Sequence, residues 1–163
     1  MSFVPKNHPQ QTNKHGVDDK TDDRRTPPDL LEECRVLAGV DVFTLDVAAS
    51  HENAVTSEYH TLEDDGLGQP WSGHVWCNPP YSDLKSWVPK ACQEAQHCES
   101  ITMLLPANRT EQGFWQDWIE PLRRDGLIDV YFLRGRRRFD RPGWTKPKKG
   151  DRPPFGLCVV VWS

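Results

Sequence analysis

The 163 residues suit one domain, and 36% hydrophobic against 27% charged side chains supply a single core and little more. Net charge is −4, yet residues 134–152 carry nine Lys or Arg against two Asp, a local +7 that leaves −11 for the rest. A basic stretch on an acidic chain points to contact with a polyanion. The five cysteines (34, 77, 92, 98 and 158) form no C-x-x-C pair and the six histidines show no ligand spacing, so the sequence predicts a reduced, cytoplasmic protein without a metal site. No signal peptide and no apolar run of membrane length is visible.

Residues 1–22 are polar and predict a flexible tail, followed by one domain over 23–163. Thr26-Pro27-Pro28 opens a helix, because a proline in the first turn lacks an N–H that is not needed there; Leu30, Leu31, Cys34 and Leu37 give it an apolar face, and Gly39 closes it. Val42 to Asp46 predicts a short strand ending on a carboxylate. Residues 50–72 suggest a short helix near Asn53 and a weak strand near Tyr59. Gly73 to Cys77 is a strand that must stop at Pro79-Pro80. Ser82 predicts the cap of a helix to about Gln96, kinked by Pro89. Ile101 to Leu105 is a buried strand, and Thr110 is expected to cap a helix carrying Phe114, Trp115, Trp118 and Ile119. Strands follow at Ile128–Leu133 and Leu157–Trp162, with the basic stretch between them and no helix, so these two are expected to pair antiparallel. Elsewhere strands alternate with helices, which implies a mostly parallel α/β sheet with an antiparallel last strand.

Asn78-Pro79-Pro80-Tyr81 after a strand carries the strongest chemical signal. An exocyclic amine on a heteroaromatic ring is a poor nucleophile, since its lone pair is delocalised. Two acceptors facing its two hydrogens push the nitrogen toward a tetrahedral shape. The Asn78 side-chain oxygen supplies one acceptor and a backbone carbonyl of the turn, that of Pro79, the other. Pro79 and Pro80 lock the turn, and Tyr81 is expected to stack on the base. Transfer would be one in-line displacement, with the proton lost to water afterwards, since Asn78 cannot take it up.

The chain resembles the phage DNA N-6-adenine-methyltransferase family, often called Dam-like, from about Asp23 to Trp162. The resemblance rests on landmarks in order: Thr26-Pro27, Phe43 to Ala49, Asn53, Asp65-Gly66-Leu67, Trp71, Val75 to Ser82, Leu104 to Ala107 with Thr110 and Trp115, Gly135-Arg136 with Phe139, and Pro153 to Gly156. It implies a single Rossmann-like class I methyltransferase domain that transfers a methyl group from S-adenosylmethionine to N6 of adenine in DNA and leaves S-adenosylhomocysteine. Asp46 resembles the acid that anchors the methionine part of the donor, with Val47 and Ala48 beside it. Thr26 and Pro27 resemble the segment that closes over the donor, and Asn78 borders it. The usual glycine-rich loop after the first strand is replaced by Val47-Ala48-Ala49-Ser50. Glu58, Glu63, Asp64 and Asp65 all stand as candidates for the ribose hydroxyls. Arg109 is expected to meet a DNA phosphate, and Arg134, Arg136, Arg137, Arg138, Arg141, Lys146, Lys148 and Lys149 to follow the backbone, with Trp144 stacking or wedging. A duplex target would have to be flipped out. A chain of this length leaves no room for a separate target-recognition domain, which predicts a short or weakly selected target. The same quartet also serves RNA and protein-glutamine amino-methyltransferases, and the missing glycine loop keeps open a decayed, DNA-binding scaffold.

Overall fold

The computed structural model describes residues 25–139 and 153–163. Helix α1 (Pro28–Ala38) starts directly after Pro27 and ends on Gly39, whose φ of 69° and backbone N–H to the Val36 carbonyl make a left-handed cap. Leu30 and Cys34, one turn apart, are the residues it buries. Strands β1 (Leu45–Asp46), β2 (His74–Cys77) and β3 (Ser100–Pro106) run parallel, while β5 (Leu157–Trp162) lies antiparallel between β3 and β4 (Asp129–Phe132). The order is β1-β2-β3-β5-β4. All strands except β5 therefore point the same way, which is the expected mostly parallel sheet finished by a reversed last strand.

Burial explains the centre. All seven residues of β3, Ser100 and Thr102 among them, and all six of the apolar β5 are buried, as residues of central, covered strands should be. At the other edge β1 is only two residues long. The strand expected near Tyr59 is a single parallel bridge to Asp46, and the helix expected near Asn53 is a turn. That turn closes on itself, with Ser50 N–H donating to Asn53 Oδ1 and Asn53 N–H to Ser50 Oγ. Side chains of this type satisfy backbone locally and compete with a helix.

Two helix starts also differ from expectation. A 3-10 turn over Tyr81–Asp83 absorbs the end of the quartet, so α2 runs Leu84–Glu94, with Pro89 inside it and Leu84, Trp87, Val88 and Ala91 buried. Helix α3 (Gly113–Trp118) begins after Gln112 rather than at Thr110, and Pro121 starts a separate α4 (Glu120–Arg124). A proline here cannot continue the ladder of α3, so the chain breaks at Ile119.

Candidate active site

The carboxyl ends of parallel strands are where ligands bind in open α/β sheets. Asp46 ends β1, Asn78 follows β2, and the loop bearing Arg109 follows β3. The sheet thus brings three separate sequence features to one edge.

Asp46 is 3% exposed. Its Oδ1 accepts the backbone N–H of Ala48 and its Oδ2 that of Val55. Burial raises its pKa from 3.8 to about 6, against those two hydrogen bonds, which pull it down. Thr26, Asp46, Ala48, Asn53 and Asn78 line a narrow cleft. Ala48 and Asn53 also line a cavity of about 620 Å³, floored by Val47, Gly66 and Trp87 and rimmed by His51, Glu63 and Asp65. That volume falls in the range of about 300–1,000 Å³ usual for small-molecule sites. His60 lines it too, and its Nε2 is buried without a hydrogen-bond partner among the described residues. Gly66 is required for the floor, since a Cβ there would stand 2.1 Å from the Val47 carbonyl oxygen. The Gly66 carbonyl in turn accepts the Trp71 indole N–H.

Of the four acids left open by the sequence, one is engaged elsewhere and one lies away from the cavity. Asp64 caps its own loop by accepting the Thr61 N–H and hydroxyl, and these bonds lower its pKa. Glu58 lies outside the cavity lining, whereas Glu63 and Asp65 belong to it.

The Asn78 side chain is held from outside its own turn. Its Nδ2 donates to Thr26 Oγ1 at 3.1 Å, and Thr26 is 4% exposed. Its Oδ1 is buried and has no hydrogen-bond partner among the described residues. A buried amide oxygen in that state costs free energy unless an incoming donor meets it. Pro79 is buried and Pro80 lines the large cavity.

Three residues are placed differently from expectation. The Tyr81 ring is not an open stacking platform; it is fully buried and tilted against Phe155, with centroids 5.9 Å apart. Burying that ring between the quartet and the segment before β5 outweighs leaving it exposed. Arg109 is 8% exposed, and its Nη1 donates at 2.6 Å to the Tyr81 carbonyl, so it braces the quartet from inside instead of reaching the surface where a phosphate would lie. Arg137 is ion-paired with Glu33 and Asp29 of α1 and ties the root of the basic stretch to that helix. Arg134 and Arg136 are exposed and Arg138 half-buried. Arg141, Trp144, Lys146, Lys148 and Lys149, like the tail over 1–22, lie outside the described residues. The Thr26 bond to Asn78 and the Arg109 brace were not visible in the sequence, because both join segments far apart in the chain.

The model of the family described as DNA N-6-adenine-methyltransferase (Dam) matches residues 13–153. The chain belongs to this family. Two curated relatives carry the same name. That of Escherichia phage T1 is 40% identical over 74 residues, 44% of this chain and 31% of the relative. That of Haemophilus phage HP1 (strain HP1c1) is 29% identical over 99 residues, 60% of this chain and 54% of the relative. The chain thus spans about a third to a half of the length of these relatives. A solved structure described as an RNA methyltransferase of Pyrococcus horikoshii aligns with a TM-score of 0.40 at 10% identity, over 66% of this chain and 49% of that one. No helix among the described residues is long and apolar enough to cross a membrane.

Proposed function

We propose that this Dam-family chain transfers a methyl group from S-adenosylmethionine to the N6 amine of adenine in DNA. The observation that carries the reading is the Oδ1 of Asn78, buried without a hydrogen-bond partner among the described residues, at the carboxyl edge of the sheet beside the cavity. Such an acceptor suits a group that arrives with N–H donors, and an exocyclic amine is one.

The residues present fit the methyl donor. The Asp46 carboxylate would hold the amino group of its methionine part, with Thr26, Pro27, Val47 and Ala48 around it. The cavity over Gly66 and Trp87 would hold the adenosine, with Glu63 or Asp65 on the ribose and His60 Nε2 offering a polar contact. Bound there, S-adenosylmethionine supplies an electrophilic sulfonium methyl. The chain supplies the rest. Asn78 Oδ1 accepts one hydrogen of the target amine and the Pro79 carbonyl the other, and together they localise the nitrogen lone pair. The prolines keep both acceptors in place before the base arrives. Asn78 cannot act as a base, so the proton leaves to water. An adenine in duplex DNA would have to leave the stack to reach this depth. Exposed Arg134 and Arg136, and the basic residues beyond them, would follow the backbone.

The test is transfer of labelled methyl to unmethylated duplex DNA, with the product nucleosides identified, run beside Asn78→Ala. Loss of one such acceptor costs roughly 100- to 1,000-fold in turnover. Label in N6-methyladenine that drops by that factor in the variant supports the reading. Equal transfer by Asn78→Ala, or label on another base, refutes it.

A further inference from the structure

We infer that Thr26 is a positioning residue for Asn78: its hydroxyl accepts the Asn78 amide N–H and so turns the carbonyl oxygen, not the NH2 group, toward the target amine. The inference rests on the reading of Asn78 given above and adds a residue to it. The family resemblance places Thr26 only among groups that close over the donor.

An asparagine amide can present either end, and the two ends differ by a rotation with little steric consequence. One end would oppose an incoming amine with another NH2 and block it; the other accepts from it. Something outside the turn must choose. In the structure Nδ2 is engaged by Thr26 Oγ1 at 3.1 Å while Oδ1 stays buried without a partner among the described residues. The hydroxyl is itself well fixed. Thr26 is 4% exposed, and Pro27 restricts its backbone to the extended region. Pro27 and Pro28 then run straight into α1, which is seated by Leu30 and Cys34 and held to Arg137 through Asp29 and Glu33. A hydroxyl on so rigid a mount spends little further entropy in holding its partner.

The experiment compares Thr26→Val, which keeps the branched shape without the hydroxyl, with Thr26→Ser, which keeps the hydroxyl. Turnover at saturating donor and DNA, donor Kd by calorimetry, thermal midpoints and the 15N-resolved Asn78 side-chain amide signals (identified by their absence in Asn78→Ala) are measured on each. Expected in Thr26→Val is a fall in turnover of about tenfold, equivalent to about 1.4 kcal/mol of barrier. Its donor Kd should change by less than its turnover does, because Val keeps the packing of Thr26 beside the donor, and its Asn78 amide protons should exchange faster. Thr26→Ser should restore both turnover and amide protection. Unchanged turnover in a folded Thr26→Val overturns the inference, as does a loss confined to donor Kd, which would assign Thr26 to the donor alone. Failure of Thr26→Ser to restore turnover while its amide protection returns also overturns it. A wild type without transfer refutes the methyltransferase reading and the role of Thr26 with it. Transfer by the wild type with unprotected Asn78 amide protons refutes the inference alone.

Discussion

Replacing Asp46 by Asn should separate two effects of one carboxylate. Its pKa is raised from 3.8 to about 6 because burial outweighs the two backbone N–H groups it accepts. The native state therefore binds this proton more tightly than the unfolded chain does. Stability from this group is fully present below about pH 4 and is lost as pH rises through about 6. At about 1.4 kcal/mol per pH unit the loss is on the order of 3 kcal/mol. Asn does not titrate, and it forfeits one acceptor at a pH-independent cost of about 1 kcal/mol. Urea unfolding of both proteins without donor, from pH 4 to 8, should show the variant gaining on the wild type by on the order of 3 kcal/mol across the range. Donor binding should run the other way. Only the ionised carboxylate pairs with an ammonium, so wild-type affinity should fall by up to about tenfold per pH unit below about 6. The variant should bind weakly at every pH. A stability difference that stays flat with pH would refute the burial argument, and wild-type donor affinity in the variant would refute the anchoring role.

Three further outcomes are expected. Arg109→Met removes the charged donor from the Tyr81 carbonyl, so turnover should fall and stability should drop by about 2 kcal/mol while DNA affinity and its salt dependence hold; a shallower salt slope measured in filter binding would instead make Arg109 a phosphate contact. Gly66→Ala places a methyl against the Val47 carbonyl and should cost about 1–3 kcal/mol in urea unfolding together with donor affinity, and wild-type values for both would show that the loop has room to move. Ala at Arg134 and Arg136 should each lower the slope of log DNA affinity against log salt by about 1, whereas Arg137→Ala, already paired with Glu33 and Asp29, should chiefly destabilise α1; equal slopes for all three would erase that distinction.

How legible each part was depends on how local its cause is. α1 could be read because Pro28 and Gly39 punctuate it, and β5 because six consecutive buried apolar residues have little alternative to a covered strand. The reversed direction of β5 followed from the lack of helical periodicity in the sequence between it and β4. The break at Ile119 was missed although Pro121 stood in plain sight, since the apolar spacing through Trp118 and Ile119 outweighed it in a periodic reading. Asp46 and Asn78 were legible as candidates because each directly follows or ends a strand. Their environment was not: the depth at which Tyr81 and Arg109 lie, and the bond from Thr26 to Asn78, depend on segments 28 and 52 positions apart meeting in space.

The two walls of the site are assembled from the chain in different ways. The cavity beside Asp46 draws on residues 47–67 with Pro80, Asp83 and Trp87, most of them one contiguous stretch. The wall around Asn78 joins Thr26, the quartet, Arg109 and Phe155, which meet only when α1, β2, β3 and the approach to β5 are all docked. Contacts of short sequence separation form early and survive partial opening, whereas those of long separation require the whole topology. Adenosine binding in that cavity is then a lenient reporter of folding and methyl transfer a stringent one. In a denaturant series turnover should vanish while adenosine itself still binds.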